Sequence, residues 1–320
     1  MTAPTLAAPR PRTGDPRRSG SPRRRWAKAR SAMGRYAFPA PALIYLLVFM
    51  VYPILYTFYL SFRGANAVNF LSGTAPFVGL DNYRAVLSSP TFVRTLVITL
   101  TFTICSLAFQ HVIGFALALF FNREFPFVRL FRALLLLGWM LPAVVNASLW
   151  RWMFSGSFGV VNSLLETVGL GGLQHDWLTD PNTALGAVIV ADVWVGIPFH
   201  MLLLHAGLQS LPGSVYEAAR IDGASAWRQF TSITVPLMRP IMFTALLLGF
   251  VQTFKSFDII YVMTGGGPAG ATTVLPVSVY NLSFDYFQFG QGAAAANILL
   301  VIPLLLSIVY LWNRRREDAA

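Results

Sequence analysis

Asp192, Gln252, Lys255 and Asp258 interrupt stretches of this sequence that are otherwise apolar. Gln252, Lys255 and Asp258 follow one another at three-residue steps, which places them on one stripe if the segment is a continuous helix. Ser256 lies beside that stripe, and Phe254, Phe257 and Tyr261 bring aromatic rings to it. An amide, an ammonium, a hydroxyl and a carboxylate flanked by rings suit a sugar, whose hydroxyls hydrogen-bond and whose apolar faces stack. Asn146 and Trp150 form a second, weaker candidate pair. The competing reading is structural: Lys255 and Asp258 neutralise each other between helices, while Asn146 and Trp150 pack at an interface.

Hydrolytic and metal chemistry have less support. His111, His175, His200 and His205 show no His-Glu-x-x-His spacing, and read as packed or pore-facing polar groups. The two lysines, Lys28 and Lys255, follow Ala27 and Phe254, so neither closes a phosphate-cradling loop, and the run Gly265 to Pro268 has no lysine. Cys105 is the single cysteine, which excludes an internal disulfide and a cysteine-based zinc cluster. The sequence therefore predicts no catalytic residues, no metal and no cofactor on this chain, which is not an enzyme on this reading.

The elements that position the polar residues follow from composition. Of 320 residues, 55% are hydrophobic and 12% charged, half the charge a soluble domain needs to wet its surface, so the chain must bury its outside in lipid. The net charge of +11 belongs mostly to residues 1–36, a tail rich in Arg, Pro, Ser and Gly that reads as disordered and marks topology rather than nucleic-acid binding. A bilayer core of about 30 Å takes roughly 20 helical residues. On that ruler the chain predicts an all-α membrane protein with six spans, near 39–62, 92–121, 128–154, 183–210, 238–263 and 290–312. Lys and Arg concentrate in 1–36, 123–132, 220–239 and 314–316, whereas Arg63, Arg84 and Arg94 fall in the alternate connections. That asymmetry puts both termini in the cytoplasm. The domain layout is then a basic tail over 1–36, a six-span body over 37–313 and a short cytoplasmic tail over 314–320.

One cytoplasmic connection, 211–240, stands out. Pro212 suits a first helical turn, Val215 to Ile221 continue that helix, and Gly223 stops it. Ser225 or Asp222 then caps a second short helix running toward Pro236. The product is an elbow with Glu217, Arg220, Asp222 and Arg228 on its polar face, and Ala218, Ala219, Ile221 and Trp227 as its small or apolar residues. Physics alone allows either a knob for a partner protein or an amphipathic connector with Glu217 and Arg220 as an ordinary ion pair.

The spacing Glu217-Ala218-Ala219, Gly223, then Ile233-Thr234-Val235-Pro236 resembles the EAA loop of permease subunits of bacterial ATP-binding cassette importers, with Val235 where leucine is usual. Phe77 to Tyr83 and Ala206 to Pro212 look like two further segments of that family. The run Phe257 to Pro268 is similar to its carbohydrate-uptake branch, related to maltose and glycerol-3-phosphate permeases. The resemblance, covering 40–312, implies a permease subunit in a bacterial inner membrane. Its implied partners are a second homologous permease chain, two ATPase subunits that use ATP and Mg, and an extracytoplasmic solute-binding protein. Glu217, Ala218, Ala219 and Gly223, with Arg220 and Asp222, would form the ATPase-coupling contact. Gln252, Lys255, Ser256, Asp258 and Asn146 stand as translocation-path candidates. The alternative is an ion-gradient-driven transporter using Asp192, Lys255 and Asp258 as coupling groups.

Overall fold

A computed structural model describes residues 38–317, so the expected basic tail over 1–36 lies outside the described residues. The chain divides into two compact units, Met1–Tyr56 and Thr57–Ala320. The described part of the first is apolar helix, within which the rings of Tyr45 and Phe49 approach to 4.8 Å one turn apart. Everything that follows concerns the second unit, apart from the helix α1 (Ala40–Leu60) that enters it.

Among the described residues the architecture is helical, with one isolated antiparallel bridge between Arg63 and Phe77. After α1 come α2 (Asp81–Leu87) and α3 (Pro90–Phe121). Next are α4 (Val128–Met140), α5 (Ala143–Met153) and α6 (Val160–Thr167). The long α7 (Ala184–Gln209) leads into the short α8 (Gly213–Ile221). The chain closes with α9 (Ala226–Phe254), α10 (Asp258–Thr264), α11 (Leu275–Tyr280) and α12 (Phe289–Glu317). Among the described residues, helices α1, α3, α7, α9 and α12 are each long and apolar enough to cross a bilayer, and counting the bent pair of α4 and α5 as one span makes six.

Two expectations need correction. The span over 128–154 is not one helix: α4 and α5 meet at 96°, because Pro142 removes a backbone donor and takes the extended conformation of an N-cap. The span over 238–263 begins earlier and stops sooner. Its helix already starts at Ala226, so half of the expected 211–240 connection is helix α9, and it ends at Phe254. Helix α12 runs through to Glu317.

Lipid offers no hydrophobic incentive for helices to associate, so close approach depends on small residues and buried polar contacts. Helices α3, α7 and α9 meet where glycine permits it. A Cβ on Gly114 would lie 2.6 Å from His200 Cβ, and one on Gly249 would lie 2.5 Å from His200 Nε2. Above and below this contact sit two apolar clusters. One gathers Phe102, Val188, Ala191, Ile260 and Met263; the other gathers Phe121, Met201, Leu204, Leu208 and Met238. The break between α9 and α10 lies beside the first of them.

Candidate functional site: a polar cavity and an exposed elbow

Helix α9 stops where its sequence turns polar. Lys255 takes φ −93° and ψ 5° as the C-cap, the Ser256 N–H donates to Thr253 O at 3.0 Å, and α10 starts afresh at Asp258. The single stripe expected for Gln252, Lys255 and Asp258 is therefore broken between its second and third members. Unwound backbone inside a membrane protein is tolerated where it lines a cavity, because groups freed from the helix then find protein or water partners.

Such a cavity is present. About 300 Å³ in volume, it is walled by Asn146, Asp192, Gln252, Lys255, Ser256 and Asp258, with Ala143, Val195, Phe257 and Ile259. Every translocation-path candidate named from the sequence meets here, and Asp192 joins them, although together they come from four helices, α5, α7, α9 and α10. Phe257 is the ring that lines it, whereas Phe254 is buried in the core. Lys255 and Asp258 are both exposed and make no ion pair with each other among the described residues. Asn146 has a second duty: its amide donates to Gly138 O at 3.0 Å and Leu141 O at 3.3 Å, satisfying carbonyls left open at the Pro142 bend. Trp150 stacks on Phe154 at 5.6 Å and packs against the first apolar cluster.

Gln110 is a site residue that the sequence reading did not single out. Its Nε2 donates to Asp192 Oδ2 at 2.9 Å and to Asp192 O at 3.1 Å. A smaller cavity of about 190 Å³ shares Asp192, Val195, Gln252 and Ser256 with the first and continues to Gln110, Trp139, Phe199 and His200. A lone amide in the apolar run 92–121 was the available signal. His200 is fully buried with its ring edge-on to His111, 5.4 Å between centroids, and none of the four ring nitrogens has a partner. His205 instead approaches Arg132 Nη2 at 3.1 Å. No group of three or more metal-ligating side chains occurs among the described residues.

The elbow forms as its residues require. Pro212 is the N-cap of α8 rather than a first-turn residue. At the other end Gly223 takes φ +74°, its N–H donating to Arg220 O at 3.1 Å while the Ala224 N–H donates to Ala219 O at 2.9 Å. This pair of bonds is the Schellman arrangement, which needs a left-handed residue and so favours glycine. Ser225 then caps α9, its Oγ accepting from the Arg228 N–H at 3.3 Å. Tyr216 and Thr234 join hydroxyls at 3.0 Å and tie the two arms together. Glu217, Ala218, Arg220 and Asp222 are exposed, Ala219 is buried, and Ile221 and Trp227 are 87% and 73% exposed. Among the described residues Glu217 and Arg220 form no ion pair, and both are exposed.

Residues 110–318 match the family described as binding-protein-dependent transport system inner membrane component. The trehalose/maltose transport system permease protein MalF of Thermococcus litoralis is 39% identical over 295 residues, which cover 91% of this chain and 97% of that protein. The sulfoquinovosyl glycerol transport system permease protein SmoG of Agrobacterium fabrum is 34% identical, over 87% of this chain and 89% of its own length. The diacetylchitobiose uptake system permease protein DasB of Streptomyces coelicolor is 32% identical, over 92% and 90%. In fold, the chain is similar to one from a bacterial ATP-binding cassette transporter that imports the acidic polysaccharide alginate. That match has a TM-score of 0.78 and 24% identity, over 92% of this chain and 99% of the other.

Proposed function

The chain belongs to the inner membrane components of binding-protein-dependent transport systems, and from that membership we propose that its polar cavity carries a neutral sugar or related polyol across the bacterial inner membrane. As a permease of an ATP-binding cassette importer it hydrolyses no ATP itself, that activity residing on separate subunits. The observation that carries the substrate reading is the convergence of Asn146, Asp192, Gln252, Lys255, Ser256 and Asp258 on one cavity beside Phe257. Sugar-transport relatives support it.

The elbow is the grip for the motor. Two ATPase subunits, using ATP and Mg, close against each other and push on Glu217, Ala218, Ala219 and Gly223, with Arg220 and Asp222 at the edge of the contact. The exposed Ile221 and Trp227 give that contact apolar area, and the Schellman turn keeps the arms at a fixed angle, so a push moves α7 and α9 together. Both termini then face the cytoplasm, a reading that the arginine placement supports. A second permease chain completes the path, and a solute-binding protein delivers the sugar from the opposite face.

Reconstitution tests this reading. Vesicles holding the complete complex, given binding protein outside and ATP inside, should accumulate radiolabelled trehalose, maltose or diacetylchitobiose and should ignore a protonophore. Uptake that needs no ATP and collapses with the ionophore would overturn it in favour of ion-gradient coupling.

A further inference from the structure

A third cavity, of about 780 Å³, lies where α10 ends, away from the elbow along the chain. Its polar lining is of mixed sign: Arg151, Asp176, Asn281 and Asp285. These groups are held in place. Arg151 Nη1 donates to Val262 O at 3.3 Å. The Asn281 amide nitrogen, turned to satisfy both acceptors, donates to Asp285 Oδ2 and Val277 O, each at 3.1 Å. Asp176 closes in only because residue 156 is glycine, where a Cβ would lie 2.9 Å from its Cγ.

Aromatic rings join this cavity to the smaller polar one. Phe257 lines the 300 Å³ cavity and stacks on Tyr261, which lines the larger, with centroids 4.9 Å apart and planes at 21°. Tyr280 meets Phe257 at 5.3 Å and Tyr261 at 4.8 Å, and Phe284 follows at 5.0 Å from Tyr280. Phe257 and Tyr261 edge the first apolar cluster without being enclosed by it. Helix α10 buries Ile259, Ile260 and Met263, while Phe257 and Tyr261 stay half-buried and Phe284 is 61% exposed. A continuous aromatic run thus leads from the surface to the wall of the polar cavity.

We propose that the larger cavity is a capture subsite for a neutral pyranose, and that Phe284, Tyr280, Tyr261 and Phe257 form a stacking track along which sugar rings pass to the polar cavity. The proposal rests on the transport reading above. A pyranose has an apolar C–H face and a rim of hydroxyls: the face stacks on an aromatic ring, and adjacent hydroxyls chelate carboxylate or guanidinium. Two carboxylates against one guanidinium leave the site net negative, which admits neutral sugars and repels acidic ones.

The test uses the complete complex in nanodiscs without binding protein, with radiolabelled trehalose, maltose and diacetylchitobiose as probes. At least one probe should bind saturably, with glucuronate failing to compete. Tyr261→Leu, which keeps apolar bulk and removes the ring, should weaken binding about tenfold, while Tyr261→Phe should retain it. Thermal unfolding of both variants should match the parent. If Tyr261→Leu binds and transports as the parent does, or glucuronate competes equally, the subsite is overturned while the transport reading stands. If a photocrosslinker at position 261 captures only binding protein and never a probe, the cavity is a docking surface and the proposal fails. If the complex takes up none of the three sugars even with binding protein and ATP, the neutral-sugar reading fails and this inference with it.

Discussion

The amide of Gln110 on α3 grips Asp192 on α7 twice, once at the carboxylate and once at the backbone carbonyl, at 2.9 and 3.1 Å. Both residues are more than nine-tenths buried, yet both line a cavity. This contact therefore fixes the neighbouring helices and presents the remaining carboxylate surface to the path. Interhelical hydrogen bonds of this kind are worth about 0.6–2 kcal/mol in membranes, because the separated helices find other partners.

Replacing Gln110 by Leu removes both bonds and leaves Asp192 buried without its donor. Thermal unfolding in detergent should show a loss of about 1–2 kcal/mol. The double variant Gln110→Leu with Asp192→Leu should recover part of it, since no orphan carboxylate remains. A simple sum of the two single losses would show that the contact carries no coupling.

Gly249→Ala drives a methyl to within 2.5 Å of His200 Nε2. Overpacking at a helix crossing costs about 1–3 kcal/mol, so this variant should unfold earlier and accumulate less in membranes. His200→Ala should rescue it by making room. Failure of that rescue would place the strain elsewhere.

At the elbow, Gly223 has a left-handed backbone but open space around it, with nothing within 4 Å of a built Cβ. Gly223→Ala should cost about 1 kcal/mol in local conformation and leave most ATP-driven uptake. Gly223→Pro cannot adopt positive φ, so it should abolish coupled uptake while membrane abundance stays near the parental level. Normal coupled transport by the proline variant would remove the elbow from the coupling role.

Gln252→Ala and Asp258→Ala open the wall of the polar cavity without leaving a buried orphan, since both side chains are exposed. Sugar-stimulated uptake should fall several-fold at unchanged abundance in membranes. If both variants transport as the parent does, these side chains are not a substrate surface.

Residue order alone determined that this chain is an all-α membrane protein, where its apolar runs lie, and that Gly223 bends an elbow capped at Ser225 or Asp222, between which the structure chose Ser225. These are local matters: hydropathy over a span, one glycine's access to positive φ, one hydroxyl beside a helix start. The candidates Asn146, Gln252, Lys255, Ser256 and Asp258 were also legible, since a polar group in an apolar run has few structural excuses. Tertiary structure decided where those residues meet. It broke the expected stripe at Lys255, bent the 128–154 segment at Pro142, and brought four helices to one cavity. It also made Gln110 the partner of Asp192, 82 positions away. Periodicity within a segment says which face a residue occupies, but the neighbour on that face is chosen by packing. Here packing turned on Gly114, Gly196 and Gly249, where a missing side chain lets helices close to a distance that no pattern in one helix encodes.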